Sequence, residues 1–255
     1  MSDPEQDDSV PPPPWARSRR RQAPARVPLT RDRIVDAAYD VLDRDGFDRL
    51  SMRQVAGELG VAVSALYAHV ASKNELLQLM YERLFREYPL PDADPEHWQE
   101  QLKEFARSGR ARLLAHRDMA KVSMSGLPFT PQLFPYMERL IAIFRAAGLP
   151  PRLAATAGDL LATYTDAFVL EEQMWEDRRR TAELASWDEM RATIQGYFEE
   201  LPPDRFPNLV ELSADFFAEN NDQRFDLGLE IILRGLASYI ERPPGGAAAG
   251  DPREP

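Results

Sequence analysis

Four side chains between residues 51 and 73 are chemically suited to contact nucleic acid. Arg53, Tyr67, His69 and Lys73 supply a guanidinium, a phenol, an imidazole and an ammonium group. A guanidinium can make two parallel hydrogen bonds to the edge of a guanine base. The other three groups can donate hydrogen bonds to phosphate oxygens, which position a protein on a duplex without reading its sequence. These residue types favour a binding surface over a catalytic centre.

Two short helices joined by a tight turn would position these side chains. Ser51 with Gln54 has the spacing of a capping box at a helix start. Gly60 stands where a helix ends, and Leu66 with Val70 can anchor a second helix in a core. This is the pattern of a helix-turn-helix, whose second helix enters the DNA major groove. An ordinary helical hairpin without DNA is the alternative. Five side chains of the second helix and its end should point away from the core: Val63, Ser64, Ala65, Tyr67 and His69.

Three further segments extend this pattern over residues 30–85. They are the helix that opens at Arg31, the turn Asp45–Phe47 and the run Ala65–Leu77, which contains Leu-Tyr-x-His-x-x-x-Lys. With them the region resembles the DNA-binding domain of the tetracycline-repressor (TetR) family. The resemblance implies that Arg53 reads a base edge and that Tyr67, His69 and Lys73 hold phosphates. The predicted DNA contacts are Ser51, Arg53, Val63, Ser64, Ala65, Tyr67, His69 and Lys73.

The C-terminal part is similar to that of the tetracycline repressor itself, in the segments His116–Val122, Val169–Gln173 and Phe225–Leu236. The resemblance implies a mostly apolar effector cavity in a homodimer. Ser123 and Thr163 stand where the repressor has histidines, and these hydroxyls are poorer metal ligands than imidazole. We therefore expect no metal and no cofactor, but an apolar or aromatic effector. The predicted effector contacts are Phe105, Gly109, Ser123, Leu127, Phe129, Phe134, Tyr136, Thr163, Tyr164, Phe168 and Glu171. Plain core packing is the alternative for each aromatic residue.

The charge of the chain is unevenly distributed, although its net value is −11. Residues 16–83 carry twelve Arg and Lys against nine Asp and Glu, whereas residues 84–255 carry nineteen against twenty-nine. The basic excess coincides with the helix-turn-helix and the arm before it, as expected where phosphates bind. Zero cysteines exclude disulfides and thiol catalysis. The absence of a long apolar run and of an apolar signal core predicts a cytoplasmic protein that does not contact a membrane.

The sequence does not indicate an enzyme. The three histidines lie on separate segments, and no Gly-rich phosphate loop or Gly-x-Ser-x-Gly motif is present. The predicted function is a DNA-binding transcriptional regulator, a repressor that a small, largely apolar effector releases from a palindromic operator. Two alternatives stay open: a helical ligand-binding or interaction protein that has lost operator binding, and a transcriptional activator.

Helical periodicity runs through the chain, and no alternating strand pattern occurs. We predict an all-α fold with a three-helix DNA-binding domain at residues 30–76 and a helical effector-binding and dimerisation domain at residues 77–242. Residues 1–29 read as a disordered basic arm, which either contacts DNA or only solubilises the chain, and residues 243–255 as a flexible tail. Further helices are expected at 73–88, 95–116, 130–148, 151–180, 187–200, 207–219 and 223–241. Two of them, 151–180 and 223–241, are apolar on more than one face and predict burial against a partner subunit.

Overall fold

The N-terminal region consists of four helices, and side-chain caps fix the starts of three of them. The computed structural model describes residues 28–86, 90–127, 129–181 and 186–240. The helices are α1 (Arg31–Asp45), α2 (Met52–Glu58), α3 (Val63–Tyr67) and α4 (Lys73–Arg86). The Thr30 hydroxyl accepts a hydrogen bond from the Arg33 amide (3.3 Å) and caps α1. Gly46 ends α1 with φ +83°, a backbone conformation that residues other than glycine rarely adopt.

Seven further α-helices follow among the described residues. They are α5 (Trp98–Leu114), α6 (Met119–Ser125), α7 (Phe134–Ala146), α8 (Pro151–Thr181), α9 (Trp187–Glu199), α10 (Pro207–Glu211) and α11 (Asn221–Ala237). A short 3₁₀ turn covers Asp215–Phe217. No strand occurs in the described ranges, and the all-α fold class is confirmed. None of the helices placed there has the length and apolarity needed to cross a bilayer.

Two apolar clusters form the core. The first joins α1 to α4 with α6, and it contains Ile34, Leu42, Leu76 and Met119, all with no exposed surface. The second lies among α5, α7, α8 and α11. Because α6 packs into the first cluster, the N-terminal helices share their core with the C-terminal region. This shared core continues beyond residue 76. A displacement of α6 therefore has to disturb the packing of α4.

The predicted helix boundaries fail at two places. The chain turns after residue 114, with Asp118 in the left-handed region (φ +55°), and then forms α6, which the sequence did not predict as a separate helix. The helix predicted at 207–219 is wrong in length, because α10 ends at Glu211 and a 3₁₀ turn follows. Nearly all of the predicted arm and the whole predicted tail lie outside the described residues.

Helices α8 and α11 each have one buried and one exposed apolar side. Along α11, Leu229 is fully buried within its own subunit, whereas Leu227 and Ile231 are 50% and 65% exposed. Along α8, Leu161 is buried and its neighbour Leu160 is 47% exposed. Each helix therefore packs on its own chain and leaves a second apolar side uncovered. Exposed apolar surface of this kind is typical of an interaction surface.

Candidate nucleic-acid interface and effector cavity

The turn between α2 and α3 has the geometry of a helix-turn-helix. The Ser51 hydroxyl accepts a hydrogen bond from the Gln54 amide (3.4 Å) and caps α2. Gly60 has φ +64°, and the Val61 amide donates to the Ala56 carbonyl (3.0 Å), which reverses the chain after α2. Beyond the turn, the fully buried Leu66 side chain holds α3 against the core. The direction in which α3 points is thus set by one cap, one glycine and one buried leucine.

Helix α3 and the turn after it carry five of the eight predicted DNA contacts. Ser64 is exposed and Tyr67 is 51% exposed, so both can reach a ligand. Val63, Ala65 and His69 are half-buried, and Val63 also packs against the first apolar cluster. The structure places these five side chains on one short helix and the turn after it. Their contacts with DNA stay predictions.

Basic side chains of this region divide into paired and unpaired groups. Arg44 pairs with Glu58, and Arg83 with Asp36, which neutralises these charges. Arg53 is exposed and has no carboxylate within 4 Å among the described residues. Unpaired cations are the groups that can neutralise phosphates, because a paired cation would first have to give up its partner.

Arg49 and Lys73 are, like Arg53, basic side chains of this region without an ion pair among the described residues. Arg49 precedes α2, is exposed, and also lacks a carboxylate partner in the described part of the chain. Lys73 at the start of α4 is half-buried with its ammonium 5.2 Å from the centre of the Phe47 ring. Sequence reasoning did not select Arg49, because its missing partner becomes apparent only when the ion pairs of the fold are known.

Hydrogen bonds link this region to the α5–α6 turn. The Phe47 amide donates to Asp118 Oδ2 (2.9 Å), and the Arg117 amide donates to Asp43 Oδ1 (2.9 Å). His116 Nδ1 lies 2.9 Å from Asp43 Oδ2. Burial acts to raise the pKa of Asp118, but the Phe47 amide and the ion pair with Lys121 hold it below its ordinary value. The end of α1 is therefore tied to the α5–α6 turn by hydrogen bonds to two carboxylates, Asp43 and Asp118.

A cavity of about 570 Å³ lies between α4 and helices α5 to α8. Its walls are mainly apolar and aromatic, with a few polar groups, which is the usual composition of a small-molecule site. Tyr81, on the same helix as Lys73, forms part of the wall, and its ring packs against Gly126. The residues around the cavity include Tyr81, Phe85, Phe105, Ser123, Phe129, Tyr136, Met137, Leu140, Gly158, Asp159, Ala162, Thr163 and Asp166.

Six of the eleven predicted effector contacts line this cavity or a small extension of it. Phe105, Ser123, Phe129, Tyr136 and Thr163 line the main cavity. Gly109 lines the extension, which measures about 60 Å³ and shares six lining residues with the main cavity. The sequence did not select the cavity residues Tyr81, Phe85, Ala162 and Asp166, whose common position depends on how α4 and α8 both pack against α6.

The structure places the other five predicted contacts elsewhere. Leu127 and Phe134 are exposed, by 64% and 51%, and neither lines the cavity. Tyr164 and Phe168 pack with Phe225 of α11, at ring-centre distances of 5.3 and 5.1 Å. Glu171 pairs with Arg224 and faces a separate open groove. Tyr164, Phe168 and Glu171 thus lie on sides of α8 that face away from the cavity, whose lining on this helix includes Ala162, Thr163 and Asp166.

An ion-pair network stabilises the side of α8 that faces α11. Arg110 of α5 makes two hydrogen bonds to Glu172 (2.6 and 2.8 Å) and one to Asp222 (2.7 Å). These carboxylates raise the pKa of Arg110 further, and its guanidinium also lies over the rings of Phe168 and Phe225. The described residues contain no cluster of three His, Cys, Asp or Glu side chains that could hold a metal ion. The charged groups on this side of α8 are therefore engaged in ion pairs and in contacts with aromatic rings.

Comparison with known proteins decides the family. Residues 34–80 match the model of bacterial regulatory proteins of the tetR family, and residues 90–240 match the tetracyclin repressor-like C-terminal domain. The chain belongs to the tetR family. Its DNA-binding helix-turn-helix and its C-terminal helical domain are those of this family, which confirms both resemblances drawn from the sequence.

Relatives and solved structures of the tetR family cover most of the chain. The transcriptional repressor DrrR1 of Streptomyces coeruleorubidus is 30% identical over 92% of this chain and 87% of its own length. The class D tetracycline repressor of Escherichia coli is 34% identical over 82% and 89%. ActR of Streptomyces coelicolor, in a crystal structure with actinorhodin, is 40% identical over 85% and 100%, with a TM-score of 0.75. The chain is a DNA-binding, ligand-responsive transcriptional repressor of the tetR family.

Proposed function

We propose that this repressor binds a palindromic operator as a homodimer in the cytoplasm, through the outer side of α3 and the unpaired cations beside it. Arg53 reads a base edge, while Tyr67, Lys73 and Arg49 hold phosphates. The exposed Tyr67 and the absence of carboxylate partners for Arg53 and Arg49 in the described ranges support this assignment. Two helix-turn-helix units of a dimer must lie about 34–36 Å apart to enter successive major grooves.

The effector binds in the cavity between α4 and α8. Helix α4 supports this proposal most directly, because Lys73 begins it and Tyr81 and Phe85 line the cavity about two and three turns later. A ligand that displaces these rings moves α4, and with it the helix-turn-helix packed on α4. If the ligand prefers a different separation of the two recognition helices, it lowers operator affinity by the same coupling factor.

Partner contacts fall on the exposed apolar sides of α8 and α11. Leu160, Leu227 and Ile231 leave large apolar surface uncovered in the single chain. A two-fold homodimer would bury the same surface on both subunits. On α11, Leu229 and Leu236 are buried in their own subunit and cannot supply the partner contact. We therefore assign it to Leu227 and Ile231.

Operator binding tests the proposal with a matched pair of exposed tyrosines. Fluorescence anisotropy with labelled DNA from upstream of the gene should show that Tyr67→Ala weakens binding at least about fivefold, an effect of about 1 kcal/mol. Tyr197→Ala on α9, where the side chain is 63% exposed, should bind as the wild type does. If Tyr67→Ala and Tyr197→Ala bind the operator with equal affinity, Tyr67 does not contact DNA.

A further inference from the structure

Asp166 of α8 is a carboxylate at the junction of the main cavity and its extension. It lines both spaces and is half-buried. Asp166 Oδ2 accepts a hydrogen bond from the Ser123 hydroxyl (2.9 Å). No other side chain of the described residues donates to this carboxylate. A carboxylate offers about four acceptor positions, so most of its capacity remains open toward the cavity.

The main cavity, on one side of Asp166, is lined by acidic but not by basic side chains among the described residues. Asp159 is the second acid there, and the described residues that line the main cavity include no Lys, Arg or His. Arg112 lines only the small extension, where it donates to the Leu84 carbonyl (2.8 Å). Burial raises the pKa of Asp166 to about 6, against a smaller opposing effect of the Ser123 hydrogen bond. An ionised carboxylate in such a space is electrostatically unfavourable until a positive group approaches.

Four aromatic rings line the same cavity in one connected series. The ring centres of Tyr81 and Phe85 are 5.0 Å apart, those of Phe85 and Tyr136 4.7 Å, and those of Phe105 and Tyr136 5.7 Å. Flat aromatic molecules stack on such rings, and positive charge is attracted to their faces. All four residues belong to the lining that Asp166 completes.

We propose that the cavity selects flat aromatic effectors that carry a positive charge, with Asp166 as the counter-charge and Ser123 orienting its carboxylate. The inference rests on the proposed effector site and adds the chemical class of its ligand. Carboxylate and rings lie on different helices, so the charge preference and the shape preference can be removed separately.

Two probes of nearly equal shape test the charge preference. We would titrate the full chain, without DNA, with 9-aminoacridine, which is cationic at pH 7.5, and with neutral 9-aminoanthracene, following probe fluorescence. The wild type should bind the cation at least about tenfold more tightly, the ratio expected for one charge-assisted contact. Asp166→Asn should reduce this ratio to about twofold or less, since the amide keeps the shape and loses the charge.

Matched variants separate the carboxylate from the rest of the cavity. Ser123→Ala keeps the carboxylate and should keep the charge preference. Asp204→Asn, an exposed acid outside the cavity, should bind both probes as the wild type does. Ala162→Phe fills the cavity and should weaken both probes, whereas Ala142→Phe on the exposed side of α7 should weaken neither.

The outcomes distinguish the two proposals. Equal affinity of the wild type for both probes, or a charge preference that survives in Asp166→Asn, would overturn the role of Asp166 while the cavity remains the effector site. If Ala162→Phe leaves the binding of both probes unchanged, the probes do not bind in this cavity. The proposed effector site would then be wrong as well. Failure of both probes to bind the wild type would overturn the inference, and operator binding would then test the proposed function separately.

Discussion

The helix-turn-helix and the effector cavity differ in the sequence distance over which their residues are positioned. In the first, Ser51, Gly60 and Leu66 act within sixteen residues of one another, through a cap, a turn and one buried side chain. In the second, Tyr81 of α4 and Asp166 of α8 meet across eighty-five residues of chain. The local geometry of a turn built by short-range signals depends on few distant residues, whereas a cavity built by long-range packing depends on every helix around it.

Substitutions on the buried and exposed sides of α11 should produce the largest effects on folding and assembly. They test how strongly the long-range packing of this region depends on single side chains. Leu229→Glu places a charge in the second apolar cluster and should prevent stable folding, a loss of roughly 3 kcal/mol or more. Ile231→Glu should leave a folded chain that is monomeric and does not bind its operator. Thermal unfolding followed by circular dichroism, together with sedimentation, separates the two results.

Leu114→Glu on the exposed part of α5 is the control for a new surface charge and should stay folded and dimeric. An Ile231→Glu protein that still sediments as a dimer would show that the exposed side of α11 is not the interface.

Asp166→Asn should stabilise the protein at neutral pH. Its folded pKa of about 6 lies above the ordinary value of 3.8, so the ionised form costs stability at pH values above 6. This cost is relieved as the pH falls through 6 toward 3.8, because the folded state then holds the proton more tightly than the unfolded chain. At pH 7.5 the variant should gain on the order of 1–3 kcal/mol of unfolding free energy.

The gain should shrink at pH 4.5, where the wild-type carboxyl is largely protonated in the folded state. Burial raises the pKa of Tyr81 to about 12, so this neighbour stays neutral over the whole range. Urea unfolding at the two pH values measures the difference. A gain that is equal at both would show that burial of the charge is not its cause.

Arg53→Ala and Lys73→Ala should both weaken operator binding but in different ways. Loss of Arg53 should cost on the order of 1–3 kcal/mol and relax the preferred base at one operator position. Loss of Lys73 should weaken binding about equally on all sequences and reduce its salt dependence. Selection from a randomised operator library, followed by titration at two salt concentrations, distinguishes them. If the preferred sequence survives Arg53→Ala unchanged, Arg53 does not read a base.

Two glycine substitutions should produce the smallest effects and compare short-range with long-range constraints directly. Gly60→Ala forces a side chain into φ +64° with open space around it, and should cost about 1–2 kcal/mol. Gly46→Ala has greater backbone strain, because φ +83° with ψ 170° is a conformation that essentially only glycine adopts, and its Cβ would also lie 2.8 Å from Asp118 Oδ2. It should therefore cost more and weaken the link between α1 and the α5–α6 turn. Chemical unfolding of both variants tests the order, and equal losses would show that this link contributes nothing.

The DNA-binding half was predictable because its signals are local. Thr30, Ser51 and Gly60 each act on neighbours within a few residues, and the structure has helix boundaries where these residues predict them. The apolar spacing of Leu66 and Val70 likewise predicts the buried side of α3 and the turn after it. The family resemblance of residues 30–85 rests on the same short-range features, and the comparisons confirm it.

Cavity residues were less predictable, since helical spacing alone does not say which neighbour each side of a helix meets. Tyr164 and Phe168 have the aromatic character of a ligand site, yet they pack against α11. Asp166, two positions from each of them, has no motif around it and faces the cavity. The separate helix α6 escaped prediction because its start depends on the turn at Asp118, which is stabilised by Phe47 from a distant part of the chain.

Sequence by itself determined the helical fold class, the family and the recognition helix, since caps, turn glycines and apolar periodicity act over a few residues. Tertiary structure decided which arginines remain unpaired, which side of α11 is left exposed, and which acid faces the cavity. Those properties depend on contacts between residues that lie tens of positions apart, such as Ser123 with Asp166 and Arg110 with Glu172. Only the packing of the helices against one another brings these pairs together.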